Sequence, residues 1–152
     1  MNIILHEPEI PQNTGNIGRT CVATGAKLHL IKPIAFDTSE KAVRRSGLDY
    51  WQYLNISYYD SFDDFLIKNH NPQVFMVETK GSKYYTDANF TEDSFIMFGK
   101  ETKGIPEEIL NKYPENCIRI PMIPSSRSLN LANSVAIVLY EALRQNGFAG
   151  FI

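Results

Sequence analysis

The feature that most constrains this chain is a set of short apolar runs spaced along its length. They cover residues 3–5, 28–31, 56–59, 74–77, 95–98 and 117–120. Most are apolar at consecutive positions, so both faces must be covered, which is the pattern of a buried parallel strand. Helix-like stretches fall between them at residues 14–24, 61–68, 106–112 and 129–145. In the last, Leu131, Val135, Val138, Leu139 and Ala142 recur at three- and four-residue spacing and form one apolar stripe. Strands alternating with helices predict an α/β fold with a mainly parallel sheet.

At 152 residues the chain is expected to form one domain over 1–152 and to bury a core without covalent staples. Its two cysteines, Cys21 and Cys117, form no CxxC pair. That speaks against a zinc site or a disulfide framework and suits the reducing cytoplasm. No signal peptide and no run of membrane-spanning length is apparent, and no metal cluster is expected. The net charge of −2 is awkward for a nucleic-acid partner, because phosphate contacts need Lys or Arg. A basic face would have to come from local clustering, with Arg19, Lys41, Arg44 and Arg45 as candidates.

Three loops at strand ends break the simple pattern, and in open α/β sheets ligands bind beyond the carboxyl ends of strands. The first is Pro11-Gln12-Asn13-Thr14-Gly15-Asn16-Ile17-Gly18-Arg19. Taken alone it reads first as an ordinary helix start, capped by Asn13 or Thr14 with Arg19 on the surface, and otherwise as a site carrying Arg19. The second runs from Phe98 to Pro106, with Gly99 and Gly104 around Glu101. It is not a phosphate loop, because Ile105 stands where Lys is required, and a carboxylate suits hydroxyl or amino groups better. The third, Ile120-Pro121-Met122-Ile123-Pro124-Ser125-Ser126-Arg127-Ser128-Leu129-Asn130-Leu131, ends a strand on prolines. Ser128 is expected to cap the final helix, with Asn130 in its first turn. His6, His29 and His70 are scattered without partner spacing, and His29 reads as structural. Tyr50, Trp51 and Tyr53 read either as stacking platforms for bases or as packing of a core or interface.

Together the loops resemble the three motifs of the SPOUT methyltransferases, in the same order: Asn13 to Arg19, Phe98 to Pro106, and Ile120 to Asn133. Glu7-Pro8-Glu9-Ile10-Pro11-Gln12-Asn13-Thr14-Gly15-Asn16 and Arg44-Arg45-Ser46-Gly47-Leu48-Asp49-Tyr50 resemble the signatures of the TrmL-like branch, small tRNA wobble-nucleotide methylases. The resemblance runs over nearly the whole chain and leaves no room for an appended RNA-binding domain.

The resemblance implies an α/β-knot, with the C-terminal segment drawn into a deep trefoil knot that holds S-adenosyl-L-methionine (SAM). It implies cofactor contacts at Val77, Glu78, Thr79, Gly99, Gly104, Ile120, Met122, Ser128 and Leu129, and no metal. It implies a catalytic set of Arg19, Asn13, Glu101, Ser128 and Asn130. Contacts to substrate RNA would come from Arg19, Arg44, Arg45 and Tyr140. The implied reaction is methylation of the ribose 2′-hydroxyl of a cytidine or modified uridine at the first anticodon position. The implied partners are the tRNA anticodon stem-loop and a second copy of the chain. Ribosomal RNA methylation, or RNA binding without catalysis, would be the alternatives.

Overall fold

A computed structural model describes residues 1–37 and 49–152. Lys41, Arg44 and Arg45, expected to contribute basic charge, lie outside the described residues. The strands are β1 (Asn2–His6), β2 (Lys27–Ile31), β3 (Ile56–Tyr59), β4 (Val74–Val77), β5 (Lys83–Tyr84), β6 (Phe95–Phe98) and β7 (Cys117–Arg119). They form one sheet in the order β3-β2-β1-β6-β4-β7-β5, and every pairing is parallel. The expected parallel α/β architecture is borne out. β5, two residues long, carries no apolar run and was not legible in the sequence.

Four helices among the described residues cover the sheet: α1 (Pro11–Thr24), α2 (Phe62–Lys68), α3 (Glu107–Leu110) and α4 (Leu131–Gln145). Strand residues alternate between two apolar layers. Ile3, Leu5, Leu28, Leu30, Ile96 and Phe98 face one layer with Ile17 and Cys21 of α1 and Val135, Val138, Leu139 and Ala142 of α4. Ile4, Val74, Met76 and Met97 face the other with Phe62, Phe65 and Ile109. The predicted stripe of α4 is therefore its core face. Cys21 and Cys117 are buried free thiols, and burial pushes the Cys21 thiol up to about 12.

Helix starts differ from expectation in instructive ways. The N-cap of α1 is Ile10, with Pro11 following, so the helix starts before Asn13 and Thr14 and neither caps it. Proline tolerates that position because its missing N–H would have found no partner there. Asn13 is thereby released from capping. α4 is capped by Asn130, not Ser128: its Oδ1 accepts from Ala132 N at 2.9 Å and Asn133 N at 3.3 Å. Ser61 caps α2 through Asp64 N, where the run at 61–68 places a capping residue. Pro106 is the residue before α3 rather than inside it, and α3 ends at Leu110.

His29 is structural, as read. Asn2 Nδ2 donates to Asp93 O at 3.0 Å, which turns Asn2 Oδ1 toward His29 Nε2 at 3.2 Å. An oxygen there requires the imidazole N–H on Nε2, so Nδ1 accepts from the Tyr59 hydroxyl at 2.9 Å. Burial, helped by the charge of Lys27, pushes the His29 pKa down to about 4. Below about 6.5 the unfolded imidazole binds a proton that the folded one refuses. Its contribution to stability is therefore complete above pH 6.5 and drains away as the pH falls toward 4. Thermal unfolding of wild type and His29→Gln across that window should show a shallower fall for the variant. Parallel profiles would mean that His29 carries no such linkage.

Candidate functional site

The carboxyl ends of β4 and β6 and the loop after β7 open into a cleft of about 630 Å³. Its walls contain every residue expected to touch a cofactor: Val77, Glu78, Thr79, Gly99, Gly104, Ile120, Met122, Ser128 and Leu129. Asn13, Glu101 and Asn130 line it too. Asn13 and Asn130, 117 positions apart, thus meet at one mouth. Sequence reasoning missed Ile10, Phe98, Lys100, Thr102, Lys103, Arg127, Leu131 and Ser134 as further lining residues. Most sit inside the quoted loops, but nothing in their spacing shows which way each one turns.

Reciprocal hydrogen bonds tie the first loop to the second. The Glu101 carboxylate accepts from Glu9 N at 2.9 Å, Ile10 N at 3.2 Å and Asn13 Nδ2 at 2.9 Å. In return, Glu9 Oε2 accepts from Thr102 N at 3.1 Å and from its hydroxyl at 2.7 Å. These bonds hold the Glu9 carboxyl below its ordinary range, the Thr102 hydroxyl first among them. Lys100 and Glu7 add a half-buried ion pair at 2.7 Å. The third loop joins through Asn130 Nδ2, which donates to Asn13 Oδ1 at 3.0 Å.

This chain of bonds has one consistent orientation. A carboxylate only accepts, so Asn13 must turn its amide nitrogen to Glu101 and its oxygen to Asn130. Asn130 then presents its nitrogen to Asn13 and its oxygen to the first amides of α4. Both amides are fixed end to end, from the Glu101 charge to the positive end of a helix.

Two glycines shape the second loop for different reasons. A Cβ on Gly99 would stand 2.0 Å from Gly104 C and 2.1 Å from Ile105 N, so the loop folds back onto Gly99 itself. A side chain there would collide with the loop's own backbone. Gly104 has φ +70°, the left-handed region, and a Cβ would also meet Glu78 Oε2 at 2.6 Å. Glu78 in turn accepts from Thr79 N at 2.7 Å and from the Thr79 hydroxyl at 3.0 Å.

Arg19 and Tyr140 are not among the cleft-lining residues. Arg19 is six residues beyond Asn13, about 9 Å further along the α1 axis and roughly 120° around it. It is exposed, with its guanidinium carbon 5.0 Å over the Tyr50 ring. The Tyr50 hydroxyl donates to Gly15 O, while Trp51 packs against the core and against Gly18. Of the three aromatic residues, Trp51 is thus a packing residue, Tyr50 a platform under Arg19, and Tyr53 stands exposed. Tyr140 stands on α4 at 47% exposure. Among the described residues, no group of three or more His, Cys, Asp or Glu is placed to hold a metal ion. No described helix is long and apolar enough to cross a membrane.

Residues 1–140 match the model of the SpoU rRNA Methylase family. The chain belongs to the SpoU methylase family. It is 49% identical to a Geobacillus stearothermophilus protein provisionally named tRNA (cytidine(34)-2′-O)-methyltransferase, over 99% of this chain and 98% of that one. It is 44% identical to the Escherichia coli K12 protein of that name, over 100% and 98%. Among solved structures, one described as giving insight into 2′-OH methylation of C/U34 on tRNA superposes with a TM-score of 0.89 at 41% identity. It covers 97% of this chain and 96% of that one. The SpoU methyltransferase AviRb of Streptomyces viridochromogenes, solved with AdoMet (SAM), superposes with a TM-score of 0.79 at 26% identity, covering 98% and 61%. In this SpoU methylase, Asn13 of the first loop and residues of the second and third loops line one cleft.

Proposed function

We propose that this SpoU methylase transfers a methyl group from SAM to the ribose 2′-hydroxyl of the wobble nucleotide, a cytidine or modified uridine, in a subset of tRNAs. The observation that carries the reading is the bond chain from Glu101 through Asn13 to Asn130, which brings all three motif loops to the mouth of one cleft. The names of full-length relatives at 44–49% identity supply the substrate. A cytoplasmic location and the family's trefoil knot go with it.

The cleft suits SAM. Its volume accommodates a nucleoside-sized ligand, and Val77, Ile120, Met122 and Leu129 offer apolar walls. Glu78 and Thr79 place acceptors and a hydroxyl where ribose hydroxyls can be held. The turned-back loop between Gly99 and Gly104 forms one wall, kept tight because neither glycine has a side chain to push the loop away from itself or from Glu78. When bound, SAM supplies a methyl group on a sulfonium, already a strong electrophile.

The protein's own part is to place and activate the hydroxyl. Asn13 and Asn130 are locked in orientation, and Ser128 presents an exposed hydroxyl at the cleft. Three donors already engage the Glu101 carboxylate, so it serves as the anchor of Asn13 rather than as the proton acceptor. A phosphate oxygen of the RNA then fits that second role. Arg19, permanently charged and exposed, lies outside its own chain's cleft, so it holds the RNA phosphate and stabilises the developing alkoxide at the cleft of a second copy.

The working form is a homodimer. Ile137 and Tyr140 on α4 are 37% and 47% exposed, and Leu129 at the cleft edge is 39% exposed. Apolar groups of this kind are covered when α4 packs against a second copy, and the cleft then lies beside the joint. Purified protein with labelled SAM is expected to methylate isolated anticodon stem-loops at the first anticodon ribose, and to sediment as a dimer at assay concentration. A label found only in ribosomal RNA fragments or on a base atom rules out the substrate. An active monomer rules out the assembly.

A further inference from the structure

A second pocket of about 340 Å³ lies on the far side of the loop after β7 and shares Thr79, Ile120, Met122 and Arg127 with the main cleft. Its charged lining is Arg119 and Arg127, and no carboxylate lines it. That is unusual on a chain with net charge −2. Parallel pairing sets Tyr84 of β5 directly beside Arg119 of β7, so the two side chains leave the sheet on the same face. The Arg119 guanidinium lies 5.0 Å over the Tyr84 ring. Its Nε is buried and meets no hydrogen-bond partner.

A buried donor left unpaired is costly, and with Nε closed to solvent an incoming ligand meets the outer Nη groups of Arg119. A guanidinium stacked on an aromatic ring has its plane fixed, and its remaining N–H groups form a fork that matches a phosphate. The hydroxyl of Tyr84 can donate to the same oxygens, and so can that of Ser126 on leaving its long 3.8 Å contact with Met122 Sδ.

We infer that Arg119, held by Tyr84 and backed by Arg127, binds a backbone phosphate of the substrate RNA outside the methyl-transfer cleft. The inference rests on the proposed RNA methylase function and extends its footprint past the strand end of β7. One phosphodiester grips this pocket while the target ribose enters the cleft next door, so Arg119 sets how the strand lies rather than how the methyl moves.

The test compares wild type with Arg119→Gln, Arg119→Lys and Tyr84→Leu. Binding of a fluorescent synthetic anticodon stem-loop is measured by anisotropy across a salt series, SAM binding by calorimetry, and folding by thermal unfolding. Arg119→Gln is expected to weaken stem-loop binding about tenfold and to make the log–log salt dependence shallower by about one. Arg119→Lys recovers the salt dependence but only part of the affinity, and Tyr84→Leu, at an exposed position, weakens binding less. SAM affinity and unfolding midpoint stay at wild-type values. Stem-loop binding equal to wild type at every salt overturns the inference. So does a parallel loss of SAM affinity, which would make this a seat for the cofactor's carboxylate. Wild-type protein that methylates only a ribosomal RNA fragment defeats the tRNA reading instead, and the same comparison on that fragment then decides Arg119.

Discussion

Arg19→Ala should lose at least about a hundredfold in kcat, the scale of removing one preorganised stabiliser of developing negative charge. Its fold should not change measurably. Arg19 is exposed and its described contact is the ring of Tyr50, an interaction worth about 0.5–1 kcal/mol at such a site. SAM affinity should also hold, because Arg19 does not line the cleft. Single-turnover kinetics, calorimetry and thermal unfolding on one preparation separate the three quantities. Near-normal turnover would remove Arg19 from the chemistry and return it to the ordinary helix surface that its sequence position also permits.

Gly99→Val should have the opposite profile, with the cofactor site lost first. The added Cβ would lie 2.0 Å from a backbone carbon and 2.1 Å from a backbone nitrogen, and neither can swing aside as a side-chain tip does. The stretch from Gly99 to Ile105 has to move. Overpacking of this kind costs about 3 kcal/mol, or roughly 6–12 °C in the unfolding midpoint for a chain this size. The displaced stretch carries Lys100, Glu101 and Thr102, so their bonds to Glu7, Glu9, Ile10 and Asn13 go with it. Calorimetry should find no SAM binding. A variant that binds SAM like wild type would show that the cofactor sits elsewhere.

The fold was largely legible because its signal is local. Buried parallel strands must be apolar on both faces, and the runs at 74–77 and 95–98 match β4 and β6 residue for residue, while 56–59 matches β3, an edge strand with only Tyr59 buried. β5 was not legible because it is a two-residue edge strand, Lys83 and Tyr84, with nothing to bury. Helix starts were less legible because several residues compete for each cap. Asn13, Thr14 and Ser128 all have capping chemistry, yet the caps fell to Ile10 and Asn130. The deciding factor is non-local. Asn13 is needed by Glu101 and Asn130 by Asn13, and no window of sequence contains both demands. The cleft walls followed from the family resemblance rather than from residue spacing. Arg119 escaped notice because its meaning lies in a neighbour 35 positions earlier, across a strand pairing that the sequence does not announce.

The crossed bonds between the loops also bear on how this framework can be altered. Glu9 answers Thr102 while Glu101 answers the amides of residues 9 and 10, and Asn13 is oriented by one loop only to orient the next. Transplanting one loop from a distant cousin would deliver acceptors to acceptors or leave donors facing nothing. The segments 7–13, 99–104 and 128–130 therefore behave as one exchangeable cassette, inherited or grafted together, while the helices behind them remain free to drift.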